Sequence, residues 1–155
     1  MQIKSDYKTE LEKNGTLAFV PAGNSMWPTL KNRRQSVIVV KKIERLKPFD
    51  VAFYQRENGS FVLHRIMEVT PEGYLVCGDS QLSIEKVKEE QVFGVMIGFY
   101  RGKKYIDVSL SSHVKRIKRW YERKKWRKFR LRVFYFTQSV KRRLKKILKK
   151  GEIDV

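Results

Sequence analysis

The chain has 155 residues with a formal net charge of +19, a single cysteine and 12% aromatic residues. That length supports one modest core rather than two full domains, and lone Cys77 excludes an intramolecular disulfide and gives no metal-ligand spacing. The charge is uneven: residues 1–114 hold 17 Lys and Arg against 13 Asp and Glu, residues 115–150 hold 18 against one, and residues 151–155 are acidic.

Taken in chain order, the polar, mixed-charge N-terminus predicts neither an export signal nor a spanning segment. Tyr7 to Lys13 favours a short helix that Asn14-Gly15 ends. Strand-forming runs rich in Val, Ile, Phe and Tyr follow at residues 16–21, 36–42, 50–55, 60–69, 74–77, 91–101 and 104–108, separated by turn residues. Glu57-Asn58-Gly59-Ser60 between two such runs is a hairpin signal. The expectation is a mainly β domain, an antiparallel coiled or partly closed sheet of six or seven strands spanning residues 16–110. Residues 1–15 form a lead-in and residues 111–155 a helical tail.

Ser25 stands in Gly23-Asn24-Ser25-Met26-Trp27-Pro28-Thr29-Leu30, and His64 in Phe61-Val62-Leu63-His64-Arg65-Ile66. A serine hydroxyl is a weak nucleophile at neutral pH and needs a positioned base, which an imidazole supplies. Read alone, Ser25 is a turn residue and His64 a structural histidine. The order of motifs changes that reading. Ser-Met-x-Pro-Thr-Leu resembles the nucleophile box of signal peptidase I and its relatives. Residues 47–53, Lys-Pro-Phe-Asp-Val-Ala-Phe, are similar to that family's second box, Val62 to Ile66 to its general-base box, and Cys77-Gly78-Asp79-Ser80-Gln81 to its Gly-Asp box. The likeness covers roughly residues 16–100.

Histidine rather than lysine at position 64 resembles the endoplasmic-reticulum-type branch of that family. The resemblance implies a Ser25–His64 peptidase centre, with Asp79 orienting the imidazole from the Gly-Asp position. Glu85 competes for that role, because it stands six residues later, where relatives place a second aspartate. Where many relatives carry an oxyanion-binding serine this chain has Gly23, so backbone N–H groups of Gly23 and Ser25 are the expected donors. An unperturbed imidazole predicts activity falling below about pH 6.5. Met26 and Trp27 either line the cleft or pack, and His113, with no partner at suggestive spacing, is expected at the surface. No metal or other cofactor is expected.

From Ser112 onward helix formers dominate, with Ser111 or Ser112 as N-cap. Trp126, Phe129, Val133, Phe136, Val140, Leu144 and Ile147 recur at three- and four-residue spacing, a single apolar stripe among cations. With Trp120 and Trp126 as interfacial aromatics, residues 112–150 read as an anchor on an anionic membrane surface. Packing of the stripe on the β domain or on a partner helix, and binding of nucleic-acid phosphates, are the alternatives. The expected activity is removal of a leader or signal segment from a peptide or preprotein, by a protein peripheral to the cytoplasmic face of the membrane. A catalytically silent binding module and a self-cleaving repressor-type relative are the competing functions; His64 in place of lysine argues against the latter.

Overall fold

The structure, a computed structural model, describes residues 7–151, with side chains through Leu148. Residues 1–6 of the expected lead-in and 152–155 of the expected tail lie outside the described residues. Helix α1 (Tyr7–Asn14) precedes eight strands: β1 (Thr16–Phe19), β2 (Val37–Lys41), β3 (Val51–Gln55), β4 (Phe61–Thr70), β5 (Gly73–Cys77), β6 (Glu85–Lys88), β7 (Val92–Arg101) and β8 (Lys104–Asp107). Helices α2 (Ser111–Glu122) and α3 (Lys124–Gly151) follow.

All strand pairings are antiparallel, in the order β1-β2-β7-β3-β4-β5-β6, with β8 on the far end of β7. The sheet is not closed. The expected seven strands are present, and β6 adds an eighth that charged Glu85-Lys86-Val87-Lys88 concealed, since only Val87 points into the core. The β3–β4 hairpin turns at Gly59, whose φ is +80°.

Central strand β3 is buried on both faces, which makes it the divider between two apolar clusters. Val51 and Phe53 pack with Leu11, Leu17, Val39, Leu63, Met96 and Phe99, whereas Ala52 and Tyr54 face Leu46, Ile66, Tyr74, Val76, Val87 and Val92. The alternation follows from the period-2 geometry of a strand. It also puts Tyr54, the one polar-tipped ring of this strand, on the same face as Ala52.

The chain divides into two compact units, one running to Ile117 and one beginning at Lys118. The tail, expected as one helix, is interrupted at Arg123, so α2 straddles this boundary and α3 stands wholly in the second unit. No helix among the described residues is long and apolar enough to cross a membrane.

Candidate active site

Ser25 sits in a tight turn between β1 and β2, shaped by Trp27 N–H donating to the Asn24 carbonyl (3.0 Å) and Leu30 N–H to the Met26 carbonyl (2.8 Å). The loop after β5 straps this turn in place: Ser80 N–H donates to the Ser25 carbonyl at 2.8 Å, and the Ser80 hydroxyl reaches the Asn24 carbonyl at 2.8 Å. Gly78 makes the approach possible, because a Cβ there would lie 2.7 Å from the Ser25 carbonyl oxygen.

Asp79 holds the surrounding motifs together. Its carboxylate is fully buried and accepts from Arg65 through Nε and Nη2, both at 2.8 Å, and from the Thr29 hydroxyl. Arg65 also donates from Nη1 to the Phe49 carbonyl at 2.8 Å. Phe49 has φ +76°, an uncommon conformation for a non-glycine residue, and its N–H bonds the Ile66 carbonyl at 2.8 Å. Residues from four sequence motifs thus interlock around one buried ion pair. Asp79 was expected to orient His64; in the structure its carboxylate oxygens are engaged by Arg65 and Thr29, a clamp beneath the site.

His64 lies on β4 opposite Ala52, which brings the Tyr54 ring to its diagonal position on the same face. Its Nδ1 is 3.1 Å from the Tyr54 hydroxyl, which donates to Glu85 Oε2 at 3.0 Å. Glu85 Oε2 itself stands 3.8 Å from Nδ1, beyond hydrogen-bonding reach. Arg56 then grips Glu85 through Nε (2.8 Å) and Nη2 (2.6 Å), a bidentate fork. Glu85, one of the two expected carboxylates, therefore reaches the imidazole through Tyr54, a residue the sequence motifs did not single out. Its place beside His64 depends on the β3–β4 register.

The electrostatics of this row are consistent. Burial pushes the His64 pKa down to about 4, with Arg56 adding to the effect and Glu85 and Asp79 opposing it. The imidazole is neutral at pH 7 with a wide margin, and the expected limb near pH 6.5 moves into the acid range. The Arg56 hydrogen bond holds the Glu85 carboxyl below its usual range, and burial pushes the Tyr54 phenol up, so the phenol keeps its proton.

Ser25 and His64 line one cavity of about 1130 Å³, floored by the rings of Tyr7, Phe19, Phe53 and Phe61. Ser25 Oγ makes no hydrogen bond to His64 in this structure, so the two side chains share the cavity without touching through a hydrogen bond. Met26 both lines the cavity and joins the core. Of the two expected oxyanion donors, the Gly23 N–H is taken by Asn32 Oδ1 at 2.8 Å, which leaves the Ser25 N–H. Gly23 has φ +105° and open space where a Cβ would stand, so backbone conformation, rather than close approach, calls for glycine there.

Among the described residues no cluster of His, Cys, Asp and Glu could hold a metal ion. His113, expected at the surface, is buried against the Phe99 ring with Nδ1 2.9 Å from Arg116 Nη2.

In the second unit, Trp126, Phe129, Val133, Phe136, Val140, Leu144 and Ile147 are all exposed. At 100° per residue they occupy an arc of roughly 80°, opposite buried Arg127, Leu131 and Phe134. Exposed Lys125, Arg132 and Arg143 flank the arc on one side and Arg130 and Lys141 on the other. Trp120, expected at a membrane interface, is instead buried, its ring edge-on to Trp126 at 6.0 Å.

Comparison with protein-family models and with curated protein sequences found no match.

Proposed function

We propose that the protein is a serine endopeptidase that removes a leader or signal segment from a peptide or small protein at an anionic membrane surface. The observation that carries this reading is that Ser25 and His64 line one cavity, with Nδ1 of the imidazole 3.1 Å from the Tyr54 hydroxyl. The ordered motifs of residues 16–100, with their resemblance to signal peptidase I, support the same conclusion. In the proposed reaction the substrate carbonyl enters between Ser25 and His64. Nε2 of His64 accepts the hydroxyl proton as Oγ attacks, the Ser25 N–H stabilises the developing oxyanion, and the imidazolium returns its proton to the leaving amine. Water then repeats the sequence on the acyl-enzyme. The cavity, at about 1130 Å³, has room for a short peptide segment.

Helix α3 supplies the proposed attachment. An apolar arc between two rows of cations suits a lipid interface, where the arc enters the acyl boundary and the long Lys and Arg side chains reach the headgroups. Each cation near an anionic bilayer adds about 1 kcal/mol. An anionic leaflet is the surface proposed, the cytoplasmic one in a bacterium.

The test is cleavage of candidate leader peptides by purified protein, together with labelling by a fluorophosphonate probe. Wild type should cleave and be labelled, and Ser25→Ala should do neither; cleavage surviving in Ser25→Ala removes the assignment. A second reading, a catalytically silent peptide-binding module, draws on the engaged Gly23 N–H. Peptide binding without cleavage or labelling would favour it.

A further inference from the structure

A general base for Ser25 must present a lone pair on Nε2, which requires the neutral ring to carry its proton on Nδ1. The protons around Tyr54 can be assigned one by one. Arg56 donates to both oxygens of Glu85, and a carboxylate held ionised can only accept. The Tyr54 hydroxyl has one proton and directs it to Glu85 Oε2 at 3.0 Å. Its oxygen therefore faces His64 Nδ1, 3.1 Å away, with lone pairs only. A ring bare at Nδ1 would set lone pair against lone pair inside a site where His64 is 2% exposed.

We propose that Tyr54, with Glu85 and Arg56 behind it, is a positioning residue that fixes the His64 tautomer, so the third member of the site is a relay of phenol and carboxylate rather than a carboxylate on the imidazole. This rests on the reading of Ser25 and His64 as a peptidase centre. Tyr54 takes no proton during turnover; it selects which nitrogen is free to act.

The relay makes a prediction that simple loss of packing does not. In Glu85→Leu the Tyr54 proton loses its acceptor and turns to the nearest alternative, His64 Nδ1. That moves the ring proton to Nε2 and silences the base. The loss in kcat should approach the order of 10⁴-fold known for a catalytic histidine in the wrong tautomer, with KM little changed. Adding Tyr54→Phe removes the misdirected proton, so the double variant should be at least about tenfold faster than Glu85→Leu alone.

Nitrogen-15 NMR of the ring reads the tautomer without reference to activity. Wild type should show Nδ1–H, Glu85→Leu mostly Nε2–H, and Tyr54→Phe a mixture. The relay is overturned if Glu85→Leu keeps the wild-type tautomer, or if the double variant is no faster than Glu85→Leu. Should Glu85→Leu fail to fold, Tyr54→Phe decides alone, and an unmixed Nδ1–H signal in it refutes the relay. Should wild type cleave nothing, the peptidase reading fails, while the NMR experiment still judges the relay.

Discussion

Asp79 has two possible kinds of importance, and one substitution separates them. Its carboxylate is fully buried, accepts two bonds from Arg65 and one from Thr29, and sits against a guanidinium that also braces the Phe49 carbonyl. Replacing Asp79 with Asn leaves the Arg65 charge buried without its counter-ion, and breaking such a pair from one side costs about 3–5 kcal/mol. For a chain of this length 1 kcal/mol corresponds to about 2–4 °C in Tm, so the midpoint of thermal unfolding should fall by roughly 6–20 °C. Circular dichroism at pH 7 measures it. Replacing both partners, as Arg65→Met with Asp79→Leu, should recover much of the loss, since an apolar pair of similar volume leaves no orphaned charge. An Asp79→Asn protein that unfolds within about 2 °C of wild type yet cleaves nothing would refute this reasoning and return Asp79 to direct work on His64.

Four further outcomes are expected. The acid limb of kcat/KM should lie near pH 4, because His64 must be neutral to accept a proton and burial holds its pKa there in the free protein; a limb at pH 6.5 would mean that the ring is solvated. His64 and His113 both titrate lower in the folded chain than in the unfolded one, so their neutral forms favour folding fully above about pH 6.5, and stability drains away as pH falls from there toward 4. Each histidine contributes up to about 1.4 kcal/mol per pH unit in that window, and His113→Phe should roughly halve the fall in Tm between pH 6.5 and 4.5. Phe129→Ser and Phe136→Ser, at 61% and 69% exposed positions, should each weaken co-sedimentation with anionic vesicles by about tenfold without moving Tm, whereas undiminished binding would place the lipid contact elsewhere. Gly78→Ala drives a methyl group against the Ser25 carbonyl and should lower kcat by up to about 10²-fold, the cost of misplacing a nucleophile by about 1 Å. Unchanged kinetics would show that the turn has room to yield.

Much of the sheet was legible because its strands are apolar runs broken by Gly, Pro and Asn, and the helical stripe because its spacing is regular. β6 was not, since its only inward residue is Val87. Ser25 and His64 could be singled out from motifs, and they do line one cavity. The role of Tyr54 could not, because in Val51-Ala52-Phe53-Tyr54 it is indistinguishable from a core aromatic until the pairing of Ala52 with His64 fixes which face it shares. Asp79 was visible as a motif residue, but its attachment to Arg65 depends on the approach of β5 to β4, a long-range fact. Trp120 and Trp126 look alike in a basic helix, and only their observed burial tells them apart. The break at Arg123 carries neither Gly nor Pro to announce it.

The strap from Ser80 to the Ser25 carbonyl joins residues 55 positions apart. During synthesis Ser25 is therefore made well before its turn is braced, because a ribosome must first deliver the 55 residues that separate it from Ser80. The geometry of the Ser25 hydroxyl is thus a product of tertiary assembly: the chemistry proposed for it waits until the loop after β5 has folded against the turn.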